Sequence, residues 1–328
     1  MHRGARIVHS GPVEIERRAA QGGARDCPES RACHAPGVDY VGRIFRPPSE
    51  ARSLLLQVSV GCSHNRCTYC DMYTEKSFRT KPFSRIEADL EEARRALPRF
   101  DRIFLCDGDA LILSERRLLQ ILGAIREKLP WVERIGVYGD TRSVGGKSVE
   151  SLRRLREAGL GIVYHGMESA DPAVLTRIRK GGTAEECIET ADKLREAGIV
   201  HSVMVLLGVG GRDRSEAHAH ATAAALTRMQ PRYVGALTLT VVPGTPIAAE
   251  QERGEFALPD RFGLLGELRT IVAESELRAT RLSANHASNY LPIRADLPQM
   301  KGEVLSLLDR VIASRDESLL KPESLRGL

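Results

Sequence analysis

Three cysteines, Cys62, Cys67 and Cys70, fall within one short stretch, Gly61-Cys62-Ser63-His64-Asn65-Arg66-Cys67-Thr68-Tyr69-Cys70. Thiols this close together, directly after the apolar run Leu54, Leu55, Leu56, Val58 and Val60, read as metal ligands. A structural zinc site takes four protein ligands. Three thiolates on a cubane [4Fe-4S] cluster leave one iron without a protein ligand, and an open iron is where chemistry can happen. The alternative is a non-catalytic iron-sulfur or zinc-binding protein, its site closed by a fourth ligand such as His64 or Asp71.

The elements that must position this loop follow from hydrophobic periodicity. From Leu54 onward, apolar β-type runs alternate with amphipathic helices, which predicts an α/β fold with a parallel sheet. Ser84 and Glu87 are spaced as a capping box, ahead of a helix face of Ile86, Leu90, Ala93 and Leu97. Strands are predicted at Arg102 to Cys106, Arg134 to Tyr138, Gly161 to Gly166, Val200 to Leu207 and Arg232 to Val242. Thr183 and Glu186 make a second capping box, with Cys187, Ile188, Ala191 and Leu194 as its buried stripe, so Cys187 reads as packing. Six strand-helix units with right-handed crossovers should curl into a partial (β/α)6 TIM-like barrel. Residues 1–37, which hold Cys27, Cys33 and His34, lack periodicity and read as a poorly ordered tail. The barrel is expected over 38–247, and 248–328 as a mostly helical extension capping it, irregular between Thr280 and Leu291.

Composition narrows the function classes. The chain has 328 residues, 42% of them hydrophobic, enough for a sizeable core. Its 48 basic and 43 acidic residues leave a net charge of +5 that is not gathered into a stripe, which argues against nucleic-acid binding. No apolar stretch approaches membrane-spanning length and the first residues lack a signal-peptide core, so a cytoplasmic protein is expected. Seven cysteines in a reducing compartment point to metal rather than disulfides.

The text from Gln57 through Cys62-Ser63-His64-Asn65 to Cys70-Asp71-Met72-Tyr73, with Tyr69 just before the last cysteine, resembles the radical S-adenosylmethionine (radical SAM) superfamily. The resemblance is to a Cys-x4-Cys-x2-Cys branch, one residue longer in its first spacing than the common loop. It implies an open (β/α)6 barrel, a [4Fe-4S] cluster on Cys62, Cys67 and Cys70, and S-adenosylmethionine chelating the open iron. It further implies reductive cleavage of that cofactor to a 5′-deoxyadenosyl radical, which takes hydrogen from an unidentified small molecule. The electron would come from a one-electron donor such as flavodoxin or ferredoxin.

In such barrels the active-site groups stand on loops at the carboxyl ends of the strands. Asp107, Gly108 and Asp109 follow the second strand, and Asp140, Thr141 and Arg142 the third. Glu168 and Ser169 follow the fourth, and Gly208, Gly210 and Gly211 the fifth. The resemblance implies that Gly108 and Asp109 serve the methionyl amine, although Gly-Asp-Ala replaces the usual glycine pair and acid. It implies that Glu168, beside Ser169, serves the ribose. Gly208 and Gly210 permit close approach of a flat ligand such as adenine, which Tyr69 would cover from the other side. Each of these also has a plainer reading, as a turn acid or an ordinary turn. Arg142 and, in Ser283-Ala284-Asn285-His286, His286 are the substrate-side catalytic candidates; a self-bonded turn is the plainer reading of His286. His218 and His220 are two apart on a helix and do not share a face.

Overall fold

The computed structural model describes residues 37–96 and 99–327. Of the expected tail only Gly37 is among them; Cys27, Cys33 and His34 lie outside.

A lead-in ending in a short 3-10 turn (Pro48–Glu50) delivers the chain to β1 (Leu54–Gln57). β2 (Ser59–Val60) and β3 (Arg79–Thr80) pair antiparallel as a small ribbon, and the cysteine loop runs between them. Next come α1 (Phe83–Arg95), β4 (Arg102–Cys106), α2 (Glu115–Lys128), β5 (Arg134–Tyr138), α3 (Thr141–Gly145), α4 (Val149–Glu157) and β6 (Leu160–Glu168). α5 (Pro172–Arg177), α6 (Ala184–Glu196), β7 (Val200–Leu207), α7 (Gly211–Met229) and β8 (Tyr233–Thr238) complete the repeating part. The chain ends with α8 (Pro246–Glu252), α9 (Arg261–Glu274), β9 (Thr280–Ala284), β10 (Ile293–Leu297) and α10 (Lys301–Ser314).

The main sheet has eight strands in the order β1-β4-β5-β6-β7-β8-β9-β10. All neighbours are parallel except β10, which is antiparallel to β9. The six predicted strands are present in sequence order, and the sheet stays open, as a partial barrel.

Strand alternation sorts side chains between two cores. On the outer face Leu54, Leu56, Ile103, Leu105, Ile135 and Val137 meet the helix residues Ile86, Leu90, Leu122, Ile125 and Leu152. On the inner face Leu55, Phe104, Ile162 and Tyr164 pack with Tyr138, Met204 and Tyr233. Phe104 and Tyr138 meet edge to face at 4.8 Å between ring centroids, an arrangement that suits the ring quadrupoles. The amino ends of the strands are plugged by the fully buried Glu50, which accepts from Tyr164 Oη at 2.5 Å and pairs with Arg134 at 2.6 Å.

Two local expectations are corrected. α1 begins at Phe83 with Pro82 at its N-cap and no side-chain cap, so Ser84 is already inside the first turn and the Ser84/Glu87 box does not form. The box at Thr183 and Glu186 does form, and Cys187 is buried in the stripe it introduces. The stretch predicted to be irregular between Thr280 and Leu291 contains β9, which with β10 extends the barrel sheet. Residues beyond 248 are otherwise helical. No helix among the described residues is long and apolar enough to cross a membrane.

α9 is fastened to the end of β7 by Glu267, a buried carboxylate. It accepts from the Gly208 amide at 2.6 Å and from Ser215 Oγ at 2.6 Å, with His218 Nε2 3.9 Å away. Burial raises this carboxyl from 4.5 to about 7, and lowers His218 from 6.5 to about 4, so the neutral forms of both are favoured in the fold. A carboxyl raised on folding contributes stability below its unfolded pKa and loses it as pH rises through the folded value. Relative to Glu267→Gln, the parent should therefore lose stability between about pH 4.5 and about pH 7, up to about 3 kcal/mol. Urea midpoints of both proteins across this range check it; a difference that does not change with pH would contradict it.

Candidate metal centre

The cysteine loop is anchored at its base by Asp107, which follows β4. Asp107 Oδ2 accepts from the Gly61 amide at 3.0 Å, from Gln57 Nε2 at 2.9 Å and from Lys76 Nζ at 3.1 Å. Gly61 and Lys76 lie towards opposite ends of the loop, so one carboxylate holds both. Both partners of the Asp107–Lys76 ion pair are buried, and Lys76 Nζ also donates to the carbonyls of Val41 (3.1 Å) and Arg43. Burial pushes the Asp107 carboxyl up even so, with these donors pulling the other way. Gly61 has φ +80° and a Cβ there would meet Lys76 O at 3.0 Å, so the turn into the loop needs glycine.

Along the loop each residue finds a neighbour on the rim. Between the first two cysteines the chain takes a left-handed turn at Asn65 (φ 46°), whose Nδ2 donates to Tyr73 O at 3.1 Å. His64 Nε2 lies 2.6 Å from Arg179 O; a carbonyl only accepts, so this nitrogen carries the proton. Thr68 donates its amide to Ile178 O at 3.1 Å and accepts from the Ile247 amide at 3.0 Å, tying the loop to the end of α5 and to α8. Tyr69 packs with Val174, Ile178, Ile247 and Phe256.

The three thiols are free and partly buried. Burial raises all three, Cys70 to about 11, and each feels the charge of Lys180, which pulls it back down. Among the described residues no group of three or more His, Cys, Asp or Glu is drawn close enough to hold a single metal ion. The fit to an iron-sulfur cluster rests on the donor set, three soft thiolates on one loop. Gly108 leaves the space for Cys62: a Cβ at 108 would lie 2.9 Å from Cys62 Cβ and 2.7 Å from the Tyr73 ring.

The predicted rim residues fall into three groups. Asp109 is buried with both oxygens engaged, Oδ2 accepting from Ser63 Oγ at 2.6 Å and Oδ1 from the Asp140 amide at 3.2 Å. Burial and the neighbouring Asp140 push its carboxyl up to about 7. Arg142 is half exposed, pairs with Asp140 at 2.6 Å and reaches Ser63 Oγ at 3.4 Å. Asp109 and Arg142 thus converge on the residue after Cys62.

Glu168 forms the second group. It ends β6 at φ 64°, beside a bulge, and accepts from Lys180 Nζ at 3.2 Å. Gly166 makes room for this pair, since a Cβ there would sit 2.3 Å from Glu168 Oε1 and 3.0 Å from Lys180 Nζ. Ser169 is fully buried behind it and hydrogen-bonds His218 Nδ1 at 2.8 Å.

The third group stands apart from the cysteines. At Gly208 the space a Cβ would fill is taken by Leu264 and Leu258, and Gly210 packs on Arg214 O, so these glycines fit other parts of the chain closely. His286 sits in the loop after β9, its Nδ1 accepting from the Ser288 amide at 3.1 Å. It is not brought to the cysteine loop by any described hydrogen bond. Lys76, Ser63 and Lys180 were missed in the sequence; Lys180-Gly181-Gly182 was the readable signal, with Gly181 at φ +78° against the His64 ring.

Comparison with known proteins gives a consistent picture. Residues 56–224 match the family model described as Radical SAM superfamily. Biotin synthase from Nitrosococcus oceani is 28% identical over 214 residues, covering 65% of this chain and 60% of that protein. Biotin synthase from Azoarcus sp. is 26% identical over 199 residues, covering 60% and 59%. The chain thus spans about three fifths of the length of these curated relatives. The solved structure of the radical S-adenosylmethionine methyltransferase TsrM from Kitasatospora setae, with tryptophan and a cofactor analogue, has a TM-score of 0.51. It is 19% identical and covers 86% of this chain and 56% of that one, a likeness of fold.

Because Gly108 clears the space beside Cys62, Gly108→Ala should lower iron per chain after anaerobic reconstitution to about half or less. Far-UV circular dichroism should stay the same. Iron at the parent level in the variant would contradict this reading.

Proposed function

This chain belongs to the radical SAM superfamily, and from that premise we propose that it is an enzyme that cleaves S-adenosylmethionine reductively and abstracts hydrogen from a small molecule. A [4Fe-4S] cluster and S-adenosylmethionine are the cofactors of this family. The observation that carries the reading is the loop of three free thiols held by the buried Asp107–Lys76 pair at the carboxyl rim of a partial barrel. When bound, the cluster and its cofactor supply a 5′-deoxyadenosyl radical that takes a hydrogen atom from substrate.

The chain's own residues would do the following. Cys62, Cys67 and Cys70 hold the cluster and, being three, leave one iron for the cofactor. Lys180 places positive charge beside the thiolates and fixes Glu168 by their ion pair. Glu168 then offers its second oxygen to the ribose hydroxyls, and Ser169, anchored on His218, holds the turn behind it. Asp109 and Gly108 act on the cofactor's methionyl end chiefly by setting the position of Ser63 and Cys62. Arg142 stands at the entrance of that side, and Tyr69 backs the adenine from within its apolar cluster. Gly208 and Gly210 shape the adenine edge through their tight packing on α9 and α7. His286 is the candidate proton donor on the far side of the rim, where burial and then Lys321 lower its pKa. Members of the family draw on a one-electron reductant, here proposed to be a flavodoxin or ferredoxin, and the free thiols suit the cytoplasm.

Anaerobically reconstituted, reduced protein should form 5′-deoxyadenosine from S-adenosylmethionine, and Cys67→Ala should form none. Product from both proteins alike, or zinc with no iron after anaerobic isolation, would contradict the proposal, the latter in favour of a structural site.

A further inference from the structure

The cysteine loop is covered on several sides. Asp107 and Lys76 close its base, Tyr69 lies in the apolar cluster with Val174 and Ile247, and Ser63 is held by Asp109. Within residues 61–70 only Asn65 and Arg66 are exposed, so the loop meets solvent at a tip between Cys62 and Cys67. Two stretches flank that tip. On one side the turn after α5 lies against the loop, with Thr68 N donating to Ile178 O at 3.1 Å and His64 Nε2 2.6 Å from Arg179 O. On the other, Asn65 Nδ2 donates to Tyr73 O at 3.1 Å, and a Cβ on Gly61 would come 3.4 Å from Phe78 Cα. Arg179 on the first flank, and Phe78 and Arg79 on the second, are exposed.

These stretches are basic and carry one exposed ring. The only acids in residues 61–80 and 178–183 are Asp71 and Glu75, and Arg43 holds both, at 3.7 and 3.8 Å. Among the described residues no ion pair or side-chain hydrogen bond occupies Arg66, Arg79 or Arg179. Arg179 also stands at φ 51°, in the left-handed region that suits glycine or asparagine, so an arginine is kept there against its backbone preference. Phe78 is the one aromatic among the large hydrophobic side chains exposed in the described residues.

We propose that Arg66, Phe78, Arg79 and Arg179 form the surface on which a reduced flavodoxin docks to deliver its electron. This deepens the radical SAM reading and rests on it for the group that takes the electron up. The carrier is oxidised by one electron and the cluster on Cys62, Cys67 and Cys70 is reduced by one; no bond forms or breaks and no proton moves. A flavodoxin presents an apolar flavin edge within a ring of carboxylates. Here an exposed ring stands among arginines, so the two surfaces match in charge and in polarity. A patch this small suits the transient encounter of redox partners, which bury the least area among specific complexes. Nucleic acid wants a longer basic stripe than three arginines give.

The test uses holoprotein whose iron content and cofactor binding have been measured first. Oxidised flavodoxin is titrated into it by calorimetry at about 0.03 M and about 0.3 M salt. The parent should bind with a Kd on the order of 10 μM at low salt and about tenfold more weakly at high salt. Arg66→Gln with Arg179→Gln should weaken binding about tenfold, and the two lysine variants together should stay within about threefold, because solvated contacts of this kind need charge more than shape. Arg179→Gln alone, outside the cysteine loop, should weaken binding several-fold with iron at the parent level. Arg310→Gln, on α10, should leave it unchanged. Cluster reduction followed by absorbance should slow in the double glutamine variant with reduced flavodoxin as donor, and run at the parent rate with photoreduced deazaflavin. No binding by the parent, affinity indifferent to salt, or unchanged affinity in the double glutamine variant would overturn the proposal. Tighter binding of a short oligouridine than of flavodoxin would overturn it in favour of nucleic acid. Failure of the radical SAM reading itself would be seen beforehand, as lost iron or cofactor binding, and stays distinguishable.

Discussion

The buried ion pair of Asp107 and Lys76 is the constraint on which the cysteine loop depends. Taking two charges out of water is costly and is offset only when further hydrogen bonds satisfy them. Here Asp107 also takes the Gly61 amide and the Gln57 amide side chain, and Lys76 also reaches the carbonyls of Val41 and Arg43. The pair therefore joins the end of β4, the start of the loop, its far end and the lead-in segment at one point. A loop rich in polar residues has little apolar surface with which to offset the entropy of being ordered. Closing it at the base with a carboxylate, and by the β2–β3 ribbon above, leaves the three thiols in fixed relation without using any of them.

From that base, contacts pass around the rim from loop to loop. Ser63 connects the first loop to Asp109 on the second, and Asp109 connects to the Asp140 amide on the third. Glu168 on the fourth is fixed by Lys180, whose neighbour Arg179 receives His64 of the first loop. Ser169 reaches His218, and Glu267 beside His218 holds the Gly208 amide on the fifth. Each loop end is set by a side chain from a different element, which is what a site held in fixed geometry requires. The carboxyls within this chain, Asp109 and Glu267, are both raised to about 7 by burial. These supports sit near their titration point at neutral pH.

Much of this was legible in the sequence because the central strands are buried on both faces and read as continuous apolar runs. Leu54 to Leu56, Ile103 to Cys106 and Val203 to Leu207 are of that kind, and the six-unit barrel follows from them. The last two strands were not legible. β9 and β10 bury only one face, and their other positions are Arg281, Ser283, Arg294 and Asp296, so the text looks polar and irregular. The three cysteines could be read from spacing alone. Lys76 could not, since its meaning depends on Asp107, 31 residues away, and neither residue type is unusual in a loop. Asp109 was readable as a rim acid, but not that Ser63 and Asp140 occupy both its oxygens.

The most direct measurement is the electron paramagnetic resonance spectrum of the anaerobically reconstituted, reduced protein, before and after addition of S-adenosylmethionine. A [4Fe-4S] cluster with three cysteine ligands has an open iron, so the cofactor should bind it and shift the signal. A cluster signal that S-adenosylmethionine leaves unchanged would mean that the fourth position is closed, and the loop would then be a structural site.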